Sequence, residues 1–221
     1  MMNSKCHNPF AEFLTLMRRR LSCKRLQTHW FVIAYEHPSN SQLPSNEMGY
    51  EVAEMTAKDN DQIDELTEVD EWNIPKSETL ETLEKGWRYY IAKHKGRIAA
   101  SQTIVLNDKF EDPYFKREFK MAPDEAFLWR GFTVKAFRGK GIFSFFMSQY
   151  LADIALKYGK TKILTFVHTA NKTMLKTALG FGMYRVGRVG FLEVFGLRFH
   201  YLWGRRAFKE TKKRFFIQNV G

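Results

Sequence analysis

Cysteine is scarce: Cys6 and Cys23 are the only two in 221 residues, and two thiols build no disulfide framework. No paired cysteine and histidine spacing forms a zinc site, so no metal is expected and a reducing compartment is the simple reading. Long apolar runs are missing too. The longest uncharged stretch, Gly141 to Ala152, is too short to span a bilayer. The polar start Met1 to Asn8 has no apolar core of the kind a secretory signal needs. These absences point to a soluble, cytoplasmic protein. The bias of a disordered or fibrous chain is also lacking, since the composition is 44% hydrophobic, 27% charged and 15% aromatic. The length suits one domain with an extension, or two small domains.

Charge is plentiful but unevenly placed. The net charge is +11, from 35 Lys plus Arg against 24 Asp plus Glu. Residues 50 to 84 alone hold twelve carboxylates against two lysines, a local −10, which leaves +21 for the rest. A basic balance suggests nucleic acid, anionic lipid or a phosphorylated ligand, whereas the acidic block suggests a cationic one.

Residues 9 to 26 read as a basic amphipathic helix with Phe10, Phe13, Leu14, Met17 and Leu21 on one face. A β-rich run, His29 to Tyr35, follows. The linker His37 to Asn46, with its prolines and serines, marks a boundary. The expected organisation is an N-terminal arm over 1–46, a main domain over 47–205 and a basic tail over 206–221. Within the domain, Tyr50 to Met55 reads as a strand and Asp59 to Val69 as a helix, and Ser77 is placed to cap a second helix that Gly86 ends. Trp87 to His94 and Arg97 to Val105 read as a hairpin across Lys95-Gly96, and Ala126 to Val134 as another strand. Gly141 to Tyr158 is the longest helix, with Ile142, Phe146, Tyr150, Ile154 and Tyr158 at helical spacing. A strand at Lys162 to Val167, a helix at Asn171 to Leu179 and two strands within Met183 to Trp203 complete a mixed α/β domain without internal repeats.

The informative segment runs from Ala126 through Arg138-Gly139-Lys140-Gly141 into Ile142: a strand, a basic glycine-containing turn, then a long helix. Free N–H groups at a helix start, two cations and two glycines suit a phosphate or pyrophosphate. A Walker loop is absent, and a dinucleotide fingerprint would need glycine at 144, where Ser144 stands.

These residues resemble the coenzyme A motif of the GNAT N-acetyltransferase superfamily, Arg or Gln, two residues, Gly, one residue, then Gly or Ala. Arg138-Gly139-Lys140-Gly141-Ile142-Phe143 matches all but the last position. The second signature, an asparagine opening a helix that ends in Leu-Gly-Phe, is similar to Asn171 through Leu179-Gly180-Phe181. The order of elements from Tyr50 to Trp203 agrees. The resemblance implies a mixed α+β fold with a mostly antiparallel central sheet flanked by helices. It also implies acetyl transfer from acetyl-CoA to an amine by direct attack in a ternary complex. In such a family the strand ending near Val134 is splayed from its neighbour and the backbone of Phe132, Thr133 and Val134 pairs with the pantetheine arm. The turn Arg138, Gly139, Lys140, Gly141, Ile142 and Phe143 would hold the pyrophosphate, and Asn171 would lie near the cofactor's arm. A backbone N–H near Phe132 or Thr133 would stabilise an oxyanion.

Three departures stand out. Phe143 replaces a small residue, Lys176 stands where many members place a tyrosine acid, and Arg130 stands where relatives often carry an acidic residue. Tyr184 is the alternative acid, and strand packing is its other role. An alkylammonium with pKa ~10.4 must lose a proton before attack, which calls for a carboxylate or an ordered water. Glu125 is the carboxylate expected to serve as base, with His168 as second candidate. Trp72 is placed to shape acceptor access. The expected partner is a small-molecule or peptide amine, cationic if the acidic block steers it, and a solvated helix face is the other reading of that block. A CoA-binding module with weak or no catalysis is the alternative. No nucleic-acid partner is expected, attachment to nucleic acid or membrane through residues 9–26 and 205–221 being only a third reading, and a homo-oligomer stays open.

Overall fold

The computed structural model describes residues 27–35, 46, 49–70, 74–107, 109–112, 114–115, 117–194 and 197–204. The helix expected over 9–26, most of the linker, Trp72 and the tail lie outside these residues.

Among the described residues, ten strands and four α-helices follow one another: β1 (Gln27–Tyr35), β2 (Tyr50–Met55), α1 (Asn60–Val69), α2 (Lys76–Glu84), β3 (Arg88–His94), β4 (Arg97–Val105), β5 (Lys109–Asp112), β6 (Arg117–Lys120), β7 (Glu125–Thr133), α3 (Ile142–Tyr158), β8 (Lys162–His168), α4 (Lys172–Gly180), β9 (Tyr184–Val194) and β10 (Leu197–Gly204). The β3–β4 hairpin turns at Lys95 and Gly96, both at positive φ (51° and 78°), as a two-residue turn matched to strand twist requires. Helix α1 follows Asp59, whose carboxylate takes the Thr56 amide at 2.7 Å. Helix α2 starts at Lys76 behind Pro75 with no side-chain cap, so Ser77 lies inside it rather than capping it. Among the described residues no helix is long and apolar enough to cross a membrane.

Eight strands form one sheet in the order β10-β9-β1-β8-β7-β4-β3-β2, and β5–β6 form a separate hairpin. Every neighbour in the large sheet is antiparallel except β7 and β8. Strand alternation divides the core in two. Ala126, Leu128, Ile163 and Val167 join α3 and α4 on one face. Phe127, Leu164 and Phe166 face the aromatic side chains of the β5–β6 hairpin on the other, where α1 and α2 also pack against Ile91 and Ile98. Helix α3 buries Ile142, Phe146, Tyr150 and Ile154, as its spacing predicts, and also Phe145, Met147 and Leu151, because the sheet curls around it.

Residues 27–35, read from sequence as part of an arm, are inserted between β8 and β9, paired with both. A boundary at 46–47 therefore does not separate this strand from the sheet. Its β-branched and aromatic residues suit an interior strand, but only the distant partners Lys162–His168 and Tyr184–Phe191 reveal where it goes.

The β5–β6 hairpin is joined to β10 through His200. Its Nε2 donates to the Phe115 carbonyl at 2.7 Å, and its Nδ1 accepts from Arg117 Nε at 3.3 Å, an arrangement only the neutral ring can make. Burial, chiefly, depresses its pKa below the ordinary 6.5. Below that pH the unfolded chain takes up the proton more readily than the native one, so the stabilisation is complete above 6.5 and lost as pH falls. The melting temperature is expected to drop as pH falls below about 6.5, and His200→Gln is expected to flatten that slope.

Candidate functional site

The site begins where two strands part. β7 and β8 pair only from Glu125↔Lys162 to Leu128↔Thr165, although both strands continue beyond. From Trp129 to Thr133, β7 is bonded to β4 on one edge and open on the other. The opening leads on the helix face into a cleft of about 760 Å³. Gly131, Phe132 and Thr133 form its strand wall, residues 137–139 and 141–144 its turn, and Asn171, Thr173, Met174 and Thr177 the helix α4 wall.

A tight 3-10 turn, Lys135–Phe137, carries the chain from β7 to α3, anchored by the Val134 amide on the Ala99 carbonyl at 2.9 Å. Arg138 Nε donates to the Thr133 carbonyl at 2.9 Å, folding the turn back over the strand end. Gly139 and Gly141 sit at φ 75° and 72°, where a side chain is strained. No atom lies within 4 Å of where their Cβ atoms would be, so backbone conformation rather than crowding demands glycine. Among the described residues, the amides of 139 to 144 have no backbone acceptor, which leaves an array of N–H donors at the start of a seventeen-residue helix. Such an array suits an anionic group.

Asn171 caps α4 with Oδ1, which accepts from the Met174 amide at 3.0 Å, leaving its Nδ2 donor beside the cleft. Phe143 lies half-buried against Phe146 and the core, so its ring is turned along α3 and the neighbouring amides stay uncovered. Phe132, Thr133, Arg138, Gly139, Gly141, Ile142, Phe143 and Asn171 thus come together as expected, while Val134 and Lys140 adjoin the cleft without lining it. Thr173 and Thr177 were not singled out in the sequence, although their spacing from Asn171 on one helix face is the signal that finds them.

Three families of expectation need correction. Glu125 lies where β7 and β8 are still paired, about 20 Å of strand from Gly131. It is buried, accepts from the Ala122 amide at 2.6 Å and is not among the lining residues, so its position does not suit the expected base. His168 is exposed at the end of β8 with Nδ1 taking the Ala170 amide at 3.2 Å, and it does not line the cleft either. Tyr184 and Lys176 are exposed outside the cleft. The acidic block, finally, is engaged at home. Glu54 serves Arg88 and Lys157, Asp64 Lys76, Glu65 the Ile98 amide, Glu78 Arg130 and Glu81 Lys85. Glu51, Asp61, Glu68 and Glu84 remain exposed to solvent, so this pairing lowers the block's charge without removing it.

No protein-family model matches the sequence, and no curated protein is similar to it. Solved structures are. A tandem GNAT protein from the clavulanic acid biosynthesis pathway superposes with a TM-score of 0.57 at 14% identity, over 85% of this chain and 59% of that one. The chain has the GNAT acetyltransferase fold. A protein described as an acetyltransferase from the GNAT family of Novosphingobium aromaticivorans gives 0.50 at 15% identity, over 75% of this chain and 63% of its own. A conserved protein of unknown function from Staphylococcus epidermidis gives 0.51 at 10% identity, over 92% and 69%. The chain thus spans less than two thirds of the length of the first two. The GNAT fold accounts for the splayed pair β7 and β8 and for the turn that leads into α3.

Proposed function

We propose that the protein is an N-acetyltransferase that transfers the acetyl group of acetyl-CoA to a primary amine by direct attack. The observation that carries this reading is the array of free amides at 139 to 144 beside a strand, Trp129–Thr133, whose outer edge is unpaired.

The residues present fit the cofactor. The amides of Gly139 through Ser144 would hold its pyrophosphate, with the positive end of the α3 dipole adding to the attraction. The open edge of Gly131 to Thr133 would pair with the amide groups of the pantetheine arm as a further strand does, and Asn171 Nδ2 would donate to the same arm. Acetyl-CoA supplies an activated thioester, whose carbonyl carbon accepts the amine lone pair as the C–S bond breaks. An N–H on the open β7 edge is placed to stabilise the charge that develops on the carbonyl oxygen. The amine must arrive unprotonated, the departing thiolate takes the proton that the newly bonded nitrogen loses, and among the described residues no carboxylate or histidine lines the cofactor cleft.

That lack of a titratable lining group also favours a second reading, a CoA-binding module with little or no turnover. Calorimetry with acetyl-CoA, followed by thiol release across an amine panel, separates the two: tight binding with no thiol release from any amine leaves the module. Gly141→Ala is expected to weaken acetyl-CoA binding about tenfold, because a left-handed alanine costs about 1 kcal/mol and tilts the first helical amides. Unchanged affinity in that variant would remove the turn from the site.

A further inference from the structure

On a regular strand, Trp129 and Arg130 would point to opposite faces of the sheet. Here they do not, because a bulge intervenes: Gln102 opposes Gly131 and Thr103 opposes Trp129, leaving Arg130 unpaired at φ 40°. A left-handed arginine is strained by about 1 kcal/mol, and bulges of this kind re-aim a side chain. The result is visible in the guanidinium, which lies 4.0 Å over the Trp129 ring. That ring packs on the hairpin side of the sheet, against Trp87 and Phe110, opposite the helix-face cleft.

The position matters because Arg130 is two residues past the last pair of β7 with β8, beside the open stretch. With the helix-face cleft given to the cofactor, an amine reaches that stretch from the hairpin side. There it meets a guanidinium 27% exposed, within reach yet held on an aromatic plate. Its Nη1 donates to Glu78 Oε1 at 2.8 Å, and no other acceptor engages its nitrogens among the described residues. The Nε and Nη2 edge is therefore unspent, and that edge matches a carboxylate with two parallel N–H donors. Glu78 and the buried Asp112 also face this guanidinium. Asp112 spends its Oδ1 on the Tyr114 and Phe115 amides, at 2.8 and 3.0 Å, and Glu78 holds only Nη1.

We infer that Arg130 reads a carboxylate on the acceptor, so that the protein acetylates amines that also carry an acid group, amino acids or peptide termini, in preference to simple amines or polyamines. This rests on the acetyltransferase reading above and sets its substrate class. Glu78 orients the guanidinium, Trp129 supports it, and the bulge brings both to the acceptor side.

The test uses the full chain, acetyl-CoA and matched pairs of amines that differ by one carboxylate: phenylalanine and 2-phenylethylamine, histidine and histamine, lysine and cadaverine. Thiol release is expected to give kcat/KM at least about tenfold higher for the acid-bearing partner. Arg130→Met is expected to erase that preference by raising KM for the acids about 10- to 100-fold, with the simple amines and calorimetric acetyl-CoA affinity within about twofold of the parent. Arg130→Lys, which keeps the charge and loses the fork, is expected to retain part of the preference and decides the matter if the methionine variant does not fold. Simple amines used equally well or better would overturn the inference. So would a parallel loss for both partners in the variants, or acetyl-CoA binding with no acetylation of any of the six. Absence of acetyl-CoA binding by the parent protein is a different failure: it removes the acetyltransferase reading, and this inference with it.

Discussion

Gly131→Ala is expected to disrupt the β7 bulge and to abolish tight acetyl-CoA binding. A Cβ at 131 would lie 2.2 Å from Gln102 Oε1 and 3.0 Å from its Cδ, closer than atoms approach. Flexible side chains usually swing away from such a contact. Gln102 has nowhere to go, because it is 3% exposed and its Nε2 is bonded to the Thr103 and Trp129 carbonyls, both at 2.9 Å. Either the glutamine leaves those carbonyls without a donor or the strand moves. Overpacking of this kind costs about 1–3 kcal/mol, and an orphaned buried carbonyl adds a comparable amount. The strand is also the wall of the cleft, so calorimetry should find acetyl-CoA affinity down by about tenfold or more. Gln102→Ala in the same chain removes the obstructing atom. Denaturant unfolding of the two single variants and the double variant is then expected to show favourable coupling of about 1 kcal/mol or more. Additive losses would show that Gly131 is dispensable to the bulge.

The second large effect is expected at Glu54, far from the cleft. Its carboxylate takes the Tyr158 hydroxyl at 2.7 Å and lies 3.4 Å from both Arg88 Nε and the Tyr90 hydroxyl and 3.7 Å from Lys157 Nζ. Tyr90 also donates to Asp153 at 2.9 Å, and Asp153 pairs with Lys157 at 2.6 Å. The group joins β2, β3 and the C-terminal half of α3 around the buried Tyr90 and a Glu54 side chain only 17% exposed, with Arg88 and Lys157 reaching solvent. Burial first, and the neighbouring carboxylates second, hold Tyr90 well above its ordinary pKa, so it stays a donor throughout the physiological range. Glu54→Ala takes the acceptor from the Tyr158 hydroxyl and the Arg88 guanidinium, while Tyr90 and Lys157 keep Asp153. With the cations partly solvated, losing this acceptor costs about 1–2 kcal/mol, which for a domain of this size is about 2–8 °C in melting temperature. Glu54→Gln keeps an acceptor and should lose about half as much. A change under about 0.5 kcal/mol in the alanine variant, measured by denaturant unfolding, would mean that solvent already satisfies the cluster. Acetyl-CoA affinity is expected to be unchanged, since no member of the group lines the cleft.

Both effects concern residues whose importance the sequence gives no reason to suspect. Gln102 and Glu54 belong to ordinary strand patterns, and their partners lie 27 to 29 and 34 to 104 positions away in the chain. The cofactor turn behaves differently. Arg138, Gly139, Gly141 and the start of α3 are recognisable as a phosphate cradle because a helix start, a glycine at positive φ and a neighbouring cation act over a few consecutive residues. Asn171 is legible for the same reason, as a cap whose side-chain oxygen accepts from the amide three residues on. Glu125 misled because strand position was read without register. At the head of β7 a carboxylate faces its own turn, and only the pairing with β8 shows that the strands have not yet parted there.

What the amino-acid order determined by itself is the set of local elements, the hairpin at Lys95-Gly96, the buried stripe of α3 and the anion-binding turn that precedes it. Each follows from spacing within one segment. The tertiary structure alone decided that residues 27–35 become an interior strand, that Glu54, Asp64, Glu78 and Glu81 pair with cations, and that Arg130 is turned to the hairpin side of the sheet. These depend on which distant backbone or side chain lies opposite. Pairing partners, unlike periodicity, are settled only when the whole core is assembled.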